Sequence, residues 1–228
     1  MTICIIPARS GSKRIKNKNI QKINGTPLIA ITIKIAKKSK LFKRIIVSTD
    51  CLKIALISKK YGAEVPFLRS KKLSDDYTPT HKVIIDTINR IGSSKEKFHF
   101  CIYPTSVLID TNDLKKALLK IKKTKSNFIC PIVKYESSPF RSFIIKKSYI
   151  HHTWPSFKMK RSQDLKDLYY DTGSFYIYRT NSILKIKNQN FIPKKSTYII
   201  LKKKLIDVNY PEDLKALKKI FKINKYNK

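Results

Sequence analysis

The chain has 228 residues, of which 42% are hydrophobic, and its formal net charge at pH 7 is +35. This length suits one α/β domain, and the apolar content is sufficient for a packed core. No uninterrupted apolar stretch approaches the roughly 18 residues of a membrane span, so we expect no transmembrane helix. The first residues carry no leading positive charge and only a short apolar run, which favours a buried strand over a signal peptide.

The positive charge comes almost entirely from lysine, with 42 Lys and 8 Arg. The lysines are spread over every segment, whereas a dedicated RNA-binding face concentrates charge and favours arginine and exposed aromatic residues. A compositional drift of the whole chain therefore explains the excess better than a selected nucleic-acid surface. We expect only weak, salt-sensitive, non-specific binding of polyanions.

The four cysteines are widely spaced, with no CxxC pair and no histidine at ligand spacing. This pattern predicts reduced thiols rather than a disulfide framework or a zinc site. Together with the N-terminal pattern, it predicts a cytoplasmic protein.

Hydrophobic periodicity predicts strands that alternate with helices of about ten residues. The predicted elements, in chain order, are a strand at 2–8, a helix at 27–38, a strand at 44–48, a helix at 51–61, a short extended segment at 64–67, a helix at 79–91, a strand at 98–103, a helix at 113–122, a strand at 128–134, an irregular stretch at 135–170, a strand at 174–178, a short helix near 181–186, a strand at 197–200 and a final helix from 211. Asp50 is placed to cap the second helix, and Thr111 or Asn112 to open the fourth.

This alternation predicts a three-layer α/β fold with a mainly parallel, twisted sheet covered by helices on both faces. In such sheets ligands bind beyond the carboxyl ends of the strands. The loops that begin at Arg9 and Pro104 are therefore the first candidates for a site.

The loop from Arg9 to Asn19 directly follows the first strand and holds one glycine, two serines and five basic residues. Backbone N–H groups near a glycine, serine hydroxyls and cations together can enclose a triphosphate. The loop lacks GxxxxGK[ST], so it is not a P-loop. The alternative is that a chain this rich in lysine places lysines in any loop.

Several sequence blocks follow one another along the chain. They are IIPARSGSKR (5–14), NGTPL (24–28), IVSTD (46–50), YGAEVPFLR (61–69), LSDD (73–76), YPTS (103–106), RSQDL (161–165), YDTGSFY (170–176) and ID…PEDL (206–214). In order and spacing they resemble the acylneuraminate (CMP-sugar) cytidylyltransferase family over nearly the whole chain. Within that family, the RSQDL block, the FLR…LSDD segment and Tyr103 in place of the usual glutamine most resemble the subfamily that acts on pseudaminic acid.

The resemblance implies a Rossmann-like fold of the nucleotide-diphospho-sugar transferase type, with residues 1–228 forming one domain. It implies transfer of CMP from CTP to the anomeric hydroxyl of an acidic nine-carbon sugar, with pseudaminic acid favoured and pyrophosphate released. It also implies a homodimer that uses the 135–170 insertion. Two alternatives stay open: a sialic, legionaminic or Kdo-type acid as substrate, or a basic polyanion-binding protein with weakened catalysis on the same fold.

The resemblance also assigns site residues. The nucleotide side would comprise Arg9, Ser12, Lys13 and Lys18 around the phosphates, Asn19 supporting the loop or the nucleotide, and Arg69 near the cytosine. The sugar side would comprise Tyr103, Thr105 and Arg161, with the guanidinium at the sugar carboxylate. The residues alone favour a different reading, in which Arg69 is an exposed arginine after a strand and Arg161 is a solvated residue.

The family pattern Asp-x-Asp corresponds to Asp207 and Asn209, which the resemblance implies as Mg²⁺ ligands. Triphosphate chemistry needs a divalent ion held by one or two carboxylates. Asn209 offers a neutral oxygen where an anionic one is expected, and it is equally a helix cap. Asp75, Asp76 and Asp171 stay open between contacts to substrate and roles in turns.

Overall fold

The computed structural model describes residues 2–186, 192–202 and 205–226. Its strands are β1 (Thr2–Pro7), β2 (Lys22–Ile23), β3 (Thr26–Pro27), β4 (Arg44–Ser48), β5 (Phe98–Ile102), β6 (Phe128–Lys134), β7 (Phe143–Lys146), β8 (Tyr149–His152), β9 (Tyr169–Asp171), β10 (Phe175–Arg179) and β11 (Ser196–Ile200). Its α-helices are α1 (Leu28–Ser39), α2 (Leu52–Lys60), α3 (Thr80–Arg90), α4 (Thr111–Thr124), α5 (Thr180–Ile183) and α6 (Pro211–Tyr226). The predicted helices and main strands are confirmed to within two residues, apart from the short helix α5, which ends at Ile183.

The central sheet has the strand order β11-β6-β10-β5-β1-β4, with β9 paired to β6. Strands β1, β4, β5, β6 and β11 run in one direction, and β10 and β9 run in the other. The prediction of a mainly parallel sheet is therefore confirmed, and the sheet is mixed because β10 is inserted between β5 and β6.

Alternate side chains of β1 enter different cores, which shows that both faces of the sheet are covered. Cys4 and Ile6 pack with residues of α1, α2 and α4. Ile3 and Ile5 pack with residues of α3 and α5 on the other face. Because successive side chains of a strand point to opposite faces, a strand buried on both sides reads as a continuous apolar run. The three-layer prediction is confirmed.

The stretch 135–170 is more regular than its sequence pattern indicates. It contains the hairpin β7–β8 and the strand β9. The hairpin turn uses Lys147 and Ser148 at φ 45° and 69°, a conformation usually filled by Asn-Gly or Gly. The usual turn signal is therefore absent. By contrast, the small hairpin β2–β3 turns at Asn24-Gly25, which is such a signal.

Two predicted helix caps are wrong. The residue before α2 is Cys51, whose side chain makes no capping bond, and Asp50 instead binds Ser10. Helix α4 is capped by Asp110, which accepts a hydrogen bond from the amide of Asn112. Among the described helices, none is long and apolar enough to cross a membrane.

Candidate active site

A cleft of about 570 Å³ opens beyond the carboxyl ends of β1 and β5. It gathers nine of the site residues that the resemblance assigns: Arg9, Ser12, Lys13, Lys18, Asn19, Arg69, Tyr103, Thr105 and Asn209. Asp75 and Asp76, whose roles the sequence left open, also line it. Asp207 lines a smaller cavity that shares Thr105 with the cleft. Arg161 lines neither cavity. Parallel strands bring these loops together because their carboxyl ends meet at one edge of the sheet.

The loop after β1 is held in place by two contacts at its ends. The Asp50 carboxylate accepts hydrogen bonds from the Ser10 amide, at 2.8 Å, and from its hydroxyl, at 2.5 Å. The buried Asn19 donates from Nδ2 to the Arg9 carbonyl at 2.9 Å, which gives Asn19 a loop-supporting contact. The left-handed residue of the loop is Asn17, at φ 55°, whereas Gly11 lies outside the positive-φ region. The turn therefore does not depend on the glycine.

Lys18 is half-buried at the base of the loop, where its Nζ donates to the Val208 carbonyl at 2.7 Å. Burial lowers the pKa of Lys18, and the nearby Asp207 charge opposes that effect. A partly desolvated ammonium interacts with phosphate more strongly than one in water, because the effective dielectric constant is lower.

The carboxylate of Asp76, in the 70–79 segment, binds two cationic side chains of the loop after β1. Arg9 Nη1 lies 2.5 Å from Asp76 Oδ1, and Lys13 Nζ lies 2.6 Å from Oδ2. Hydrogen bonds from Lys13 and Arg9 hold the pKa of Asp76 below its usual value. The neighbouring Asp75 instead accepts hydrogen bonds from the amides of Tyr77 and Thr78. Asp75 thus closes a turn.

Arg69 is 5% exposed although it lines the cleft, so the alternative of an exposed arginine is wrong. Its Nε donates to Ser74 Oγ at 3.0 Å, and its amide donates to the Thr49 carbonyl at 2.7 Å. Burial is the main cause that lowers the pKa of Arg69. The guanidinium is therefore fixed in direction before any ligand binds.

Asn209 links Asp207 to Arg14, a cleft residue that was not singled out from the sequence. Its Nδ2 donates to Asp207 Oδ2 at 2.5 Å, and its Oδ1 accepts from Arg14 Nη2 at 3.1 Å. The cap of α6 comes from Asp213, whose Oδ2 accepts from the amides of Asn209 and Tyr210. The side chain of Asn209 therefore does not cap the helix.

The donor set fits a magnesium ion through one carboxylate. Mg²⁺ in phosphate-transfer sites is held by one or two carboxylates, substrate phosphates and water. Asp207 is exposed and supplies such a carboxylate, whereas the Asn209 oxygen is already engaged by Arg14. In the described part of the chain, no cluster of three or more His, Cys, Asp or Glu residues is arranged to hold a metal ion.

The side chain of Tyr103 lines the cleft and is held by two neighbours. Its hydroxyl lies 2.7 Å from Thr80 Oγ1, and its ring meets Tyr176 edge to face, with the centroids 5.9 Å apart. Tyr176 in turn donates to Asp171 Oδ2 at 2.7 Å. Asp171 Oδ1 accepts from the Gly173 amide at 2.8 Å, which is a turn contact.

Arg161 is exposed and hydrogen-bonds to Asp164 through Nε at 2.9 Å. It belongs to the same 135–170 stretch as the hairpin β7–β8. Several apolar side chains of that hairpin are exposed, including Phe143, Ile145 and Ile150. Because Arg161 lines neither cavity, the structure does not bring it to the cleft of its own chain.

Comparison with known proteins identifies the family. The family model described as cytidylyltransferase matches residues 3–225. The pseudaminic acid cytidylyltransferase of Campylobacter jejuni subsp. jejuni serotype O:23/36 (strain 81-176) is 34% identical over 225 residues, covering 97% of each chain. The CMP-N,N'-diacetyllegionaminic acid synthase of Legionella pneumophila is 29% identical over 232 residues, again with 97% of each chain covered.

The fold has a counterpart among solved structures. CMP:2-keto-3-deoxy-manno-octonic acid synthetase complexed with CTP superimposes with a TM-score of 0.74 at 13% identity, over 98% of this chain and 99% of that one. This likeness confirms the predicted fold. With the family match over nearly its full length, this chain is a nucleotidyltransferase that belongs to the cytidylyltransferase family.

Proposed function

We propose that this protein transfers CMP from CTP to the anomeric hydroxyl of an acidic nine-carbon sugar and releases pyrophosphate, with pseudaminic acid as the favoured substrate. The observation that carries the proposal is the convergence of five cationic side chains on one cleft: Arg9, Lys13, Arg14, Lys18 and Arg69. The similarity to the Campylobacter jejuni enzyme over 97% of both chains supports the choice of sugar.

The chemistry assigned to the cleft is an in-line attack of the sugar hydroxyl on the α-phosphorus of CTP. The new O–P bond forms as the bond to pyrophosphate breaks, and the hydroxyl proton is released. Lys18, anchored by the Val208 carbonyl, and Arg9, whose guanidinium is oriented by the Asp76 carboxylate, present positioned donors to the phosphates. Such preorganised charges stabilise the charge that develops in the transition state. A Mg²⁺ ion held by Asp207 would supply further neutralisation of the phosphate oxygens. Positioning then provides most of the rate enhancement.

The substrate is tested by measuring pyrophosphate release with each of the four nucleoside triphosphates and with pseudaminic, legionaminic, sialic and Kdo-type acids. We expect activity with CTP alone and the highest kcat/KM with pseudaminic acid. A preference for another acid would correct the substrate. No release with any pair would favour a basic polyanion-binding protein that has lost catalysis.

We propose that Arg161 recognises the sugar carboxylate in the cleft of a second copy of the chain, because Arg161 does not line the cleft of its own chain. Substituting Arg161→Lys keeps the charge but loses the planar pair of donors that matches a carboxylate. The KM for the sugar should rise several-fold while the KM for CTP stays within about twofold. Steady-state kinetics with each substrate varied in turn measures both constants. An equal rise in the two KM values would contradict the assignment of Arg161 to the sugar.

We propose that a second copy of the chain covers the hairpin β7–β8, giving a homodimer. Burying its exposed apolar side chains would stabilise the pair by the hydrophobic effect. Ile150→Lys should therefore yield monomer at concentrations where the unmodified protein is dimeric, as measured by light scattering after size exclusion. Leu119→Lys on α4 is the matched control, because Ile150 and Leu119 are both 66% exposed. A dimer that survives Ile150→Lys contradicts this interface.

Three further proposals carry over from the sequence. The first is that residues 1–228 form one catalytic domain, although this range includes positions outside the described residues. The second is a cytoplasmic location, where CTP is available, and cell fractionation tests it.

The third proposal is that polyanion binding is non-specific, because the charge is spread as lysine over the whole chain. Binding to unrelated nucleic-acid sequences should weaken equally and steeply with salt, and selective binding near physiological salt would contradict it.

A further inference from the structure

Asp76 engages two of the cations that the proposed reaction assigns to the CTP phosphates. Each of its carboxylate oxygens binds one cation, Arg9 at 2.5 Å and Lys13 at 2.6 Å. All three side chains line the cleft. The side chain of Lys13 is 81% exposed, so packing does not hold it in this position, and its ion pair with Asp76 is the contact that directs it into the cleft.

The segment around Asp76 is braced independently of this contact. Ser74 Oγ donates to the Ser70 carbonyl at 2.9 Å and accepts from Arg69 Nε at 3.0 Å. The Asp75 carboxylate closes the following turn through the amides of Tyr77 and Thr78. These bonds fix the backbone that carries Asp76, so its carboxylate is presented to the cations by the fold.

We propose that Asp76 is a displaceable counter-ion of the nucleotide site, which orders Arg9 and Lys13 before CTP binds and gives them up to the incoming phosphates. This inference rests on the proposed function, which assigns these two cations to the triphosphate. A carboxylate with one cation on each oxygen resembles a phosphate group bound through two oxygens. A triphosphate or a pyrophosphate carries more negative charge in total than one carboxylate, so it competes successfully for the same cations.

The displacement of Asp76 by phosphate groups has opposite effects on the binding of CTP and on the release of pyrophosphate. CTP must break two ion pairs as it binds, so Asp76 weakens the affinity of the site for phosphate groups. After the reaction, the same carboxylate competes with pyrophosphate for Arg9 and Lys13 and so promotes its departure. Product release limits turnover in many enzymes. Asp76 therefore keeps a strongly cationic cleft from retaining its anionic product.

The test compares Asp76→Asn with Asp75→Asn by calorimetric titration of inorganic pyrophosphate without Mg²⁺. Both substitutions remove one negative charge from adjacent positions. An asparagine at 75 keeps the acceptor oxygen that closes the turn, so this variant is a control for the general change in charge. We expect Asp76→Asn to bind pyrophosphate about three- to tenfold tighter, a gain suited to the loss of partly exposed ion pairs. Asp75→Asn should change the affinity by less than about twofold.

Two further titrations test whether Asp76 competes with pyrophosphate for Arg9 and Lys13. The gain in pyrophosphate affinity of Asp76→Asn should shrink as the salt concentration rises, because ions screen exposed charges. It should also fall to less than about twofold when Arg9 and Lys13 are both alanine, since the competition needs those cations. A gain that survives in this background, or an equal gain in Asp75→Asn, would show a general charge effect and overturn the proposal.

Unchanged or weaker pyrophosphate binding in Asp76→Asn also overturns it, because the carboxylate then does not compete with phosphate. Melting temperatures of the variants, measured first, establish that each is folded. The titration needs no catalysis, so its outcome is separate from that of the proposed function. A protein that releases no pyrophosphate from CTP and a sugar, but still shows the Asp76-specific gain, would refute the function and leave the competition standing.

Discussion

Replacing Lys18 by alanine is expected to lower kcat/KM for CTP at least about tenfold, which corresponds to about 1.4 kcal/mol of transition-state stabilisation. The ammonium lies half-buried at the base of the loop, and the Val208 carbonyl fixes its position. A charge-assisted contact to phosphate made there is not replaced by water without loss. Arg9→Ala should cost a similar factor, because its guanidinium also faces the cleft. Pyrophosphate release at subsaturating CTP measures both.

The matched control for this prediction is Lys16→Ala. Lys16 belongs to the same loop and is exposed, but it does not line the cleft. Its removal changes the net charge by the same unit without removing a contact of the site. Equal losses in Lys16→Ala and Lys18→Ala would show that only the overall charge matters. Unchanged kinetics in both Lys18→Ala and Arg9→Ala would place the nucleotide elsewhere.

Removing the Asp207 carboxylate is expected to reduce Mg²⁺-dependent turnover at least about 100-fold. Loss of residues that merely support metal ligands already costs 10- to 100-fold, so loss of the ligand should reach at least the upper end of that range. Asp167→Ala is the control, because Asp167 is an exposed carboxylate, paired with Lys134, that does not line the cleft. Full activity of Asp207→Ala would mean that the metal is held by other groups.

Asn209→Asp is expected to lower the Mg²⁺ concentration needed for half-maximal rate. The variant places a second anionic oxygen beside Asp207, which Mg²⁺ prefers to a neutral one. Two adjacent carboxylates repel each other when no metal is bound. The melting temperature should therefore rise more on adding Mg²⁺ in Asn209→Asp than in the unmodified protein, a readout independent of activity. If neither measurement changes, Asn209 only connects Arg14 to Asp207.

The ends of the main helices and strands were predictable because the signals that set them are local. The helices α1 to α4 show apolar residues at helical spacing, and β1 reads as a continuous apolar run. The hairpin β7–β8 escaped prediction because Lys147 and Ser148 take the positive φ angles that usually need glycine or asparagine. The insertion of β10 between β5 and β6 follows from pairing between distant strands, which no local pattern encodes.

The proposal that the loop after β1 binds phosphate comes from the sequence, because the glycine, serines and cations lie within eleven consecutive residues. The partners of those residues were not, since they are distant in sequence. Asp50 binds Ser10 from 40 residues away, Asp76 binds Arg9 from 67 residues away, and Val208 binds Lys18 from 190 residues away.

Arg161 is a further residue whose sequence block was predictable but whose position in the structure was not. Its block was recognisable from consecutive residues, but only the packing of the 135–170 stretch decides that Arg161 does not line the cleft. Residue types and their spacing therefore determined the family and the layers of the fold, and they predict the chemistry of the loop. The counter-ion at Asp76, the link through Asn209 and the direction of Arg69 arose only on folding, because hydrogen bonds and ion pairs act over a few ångströms and form only where the sheet brings distant loops together.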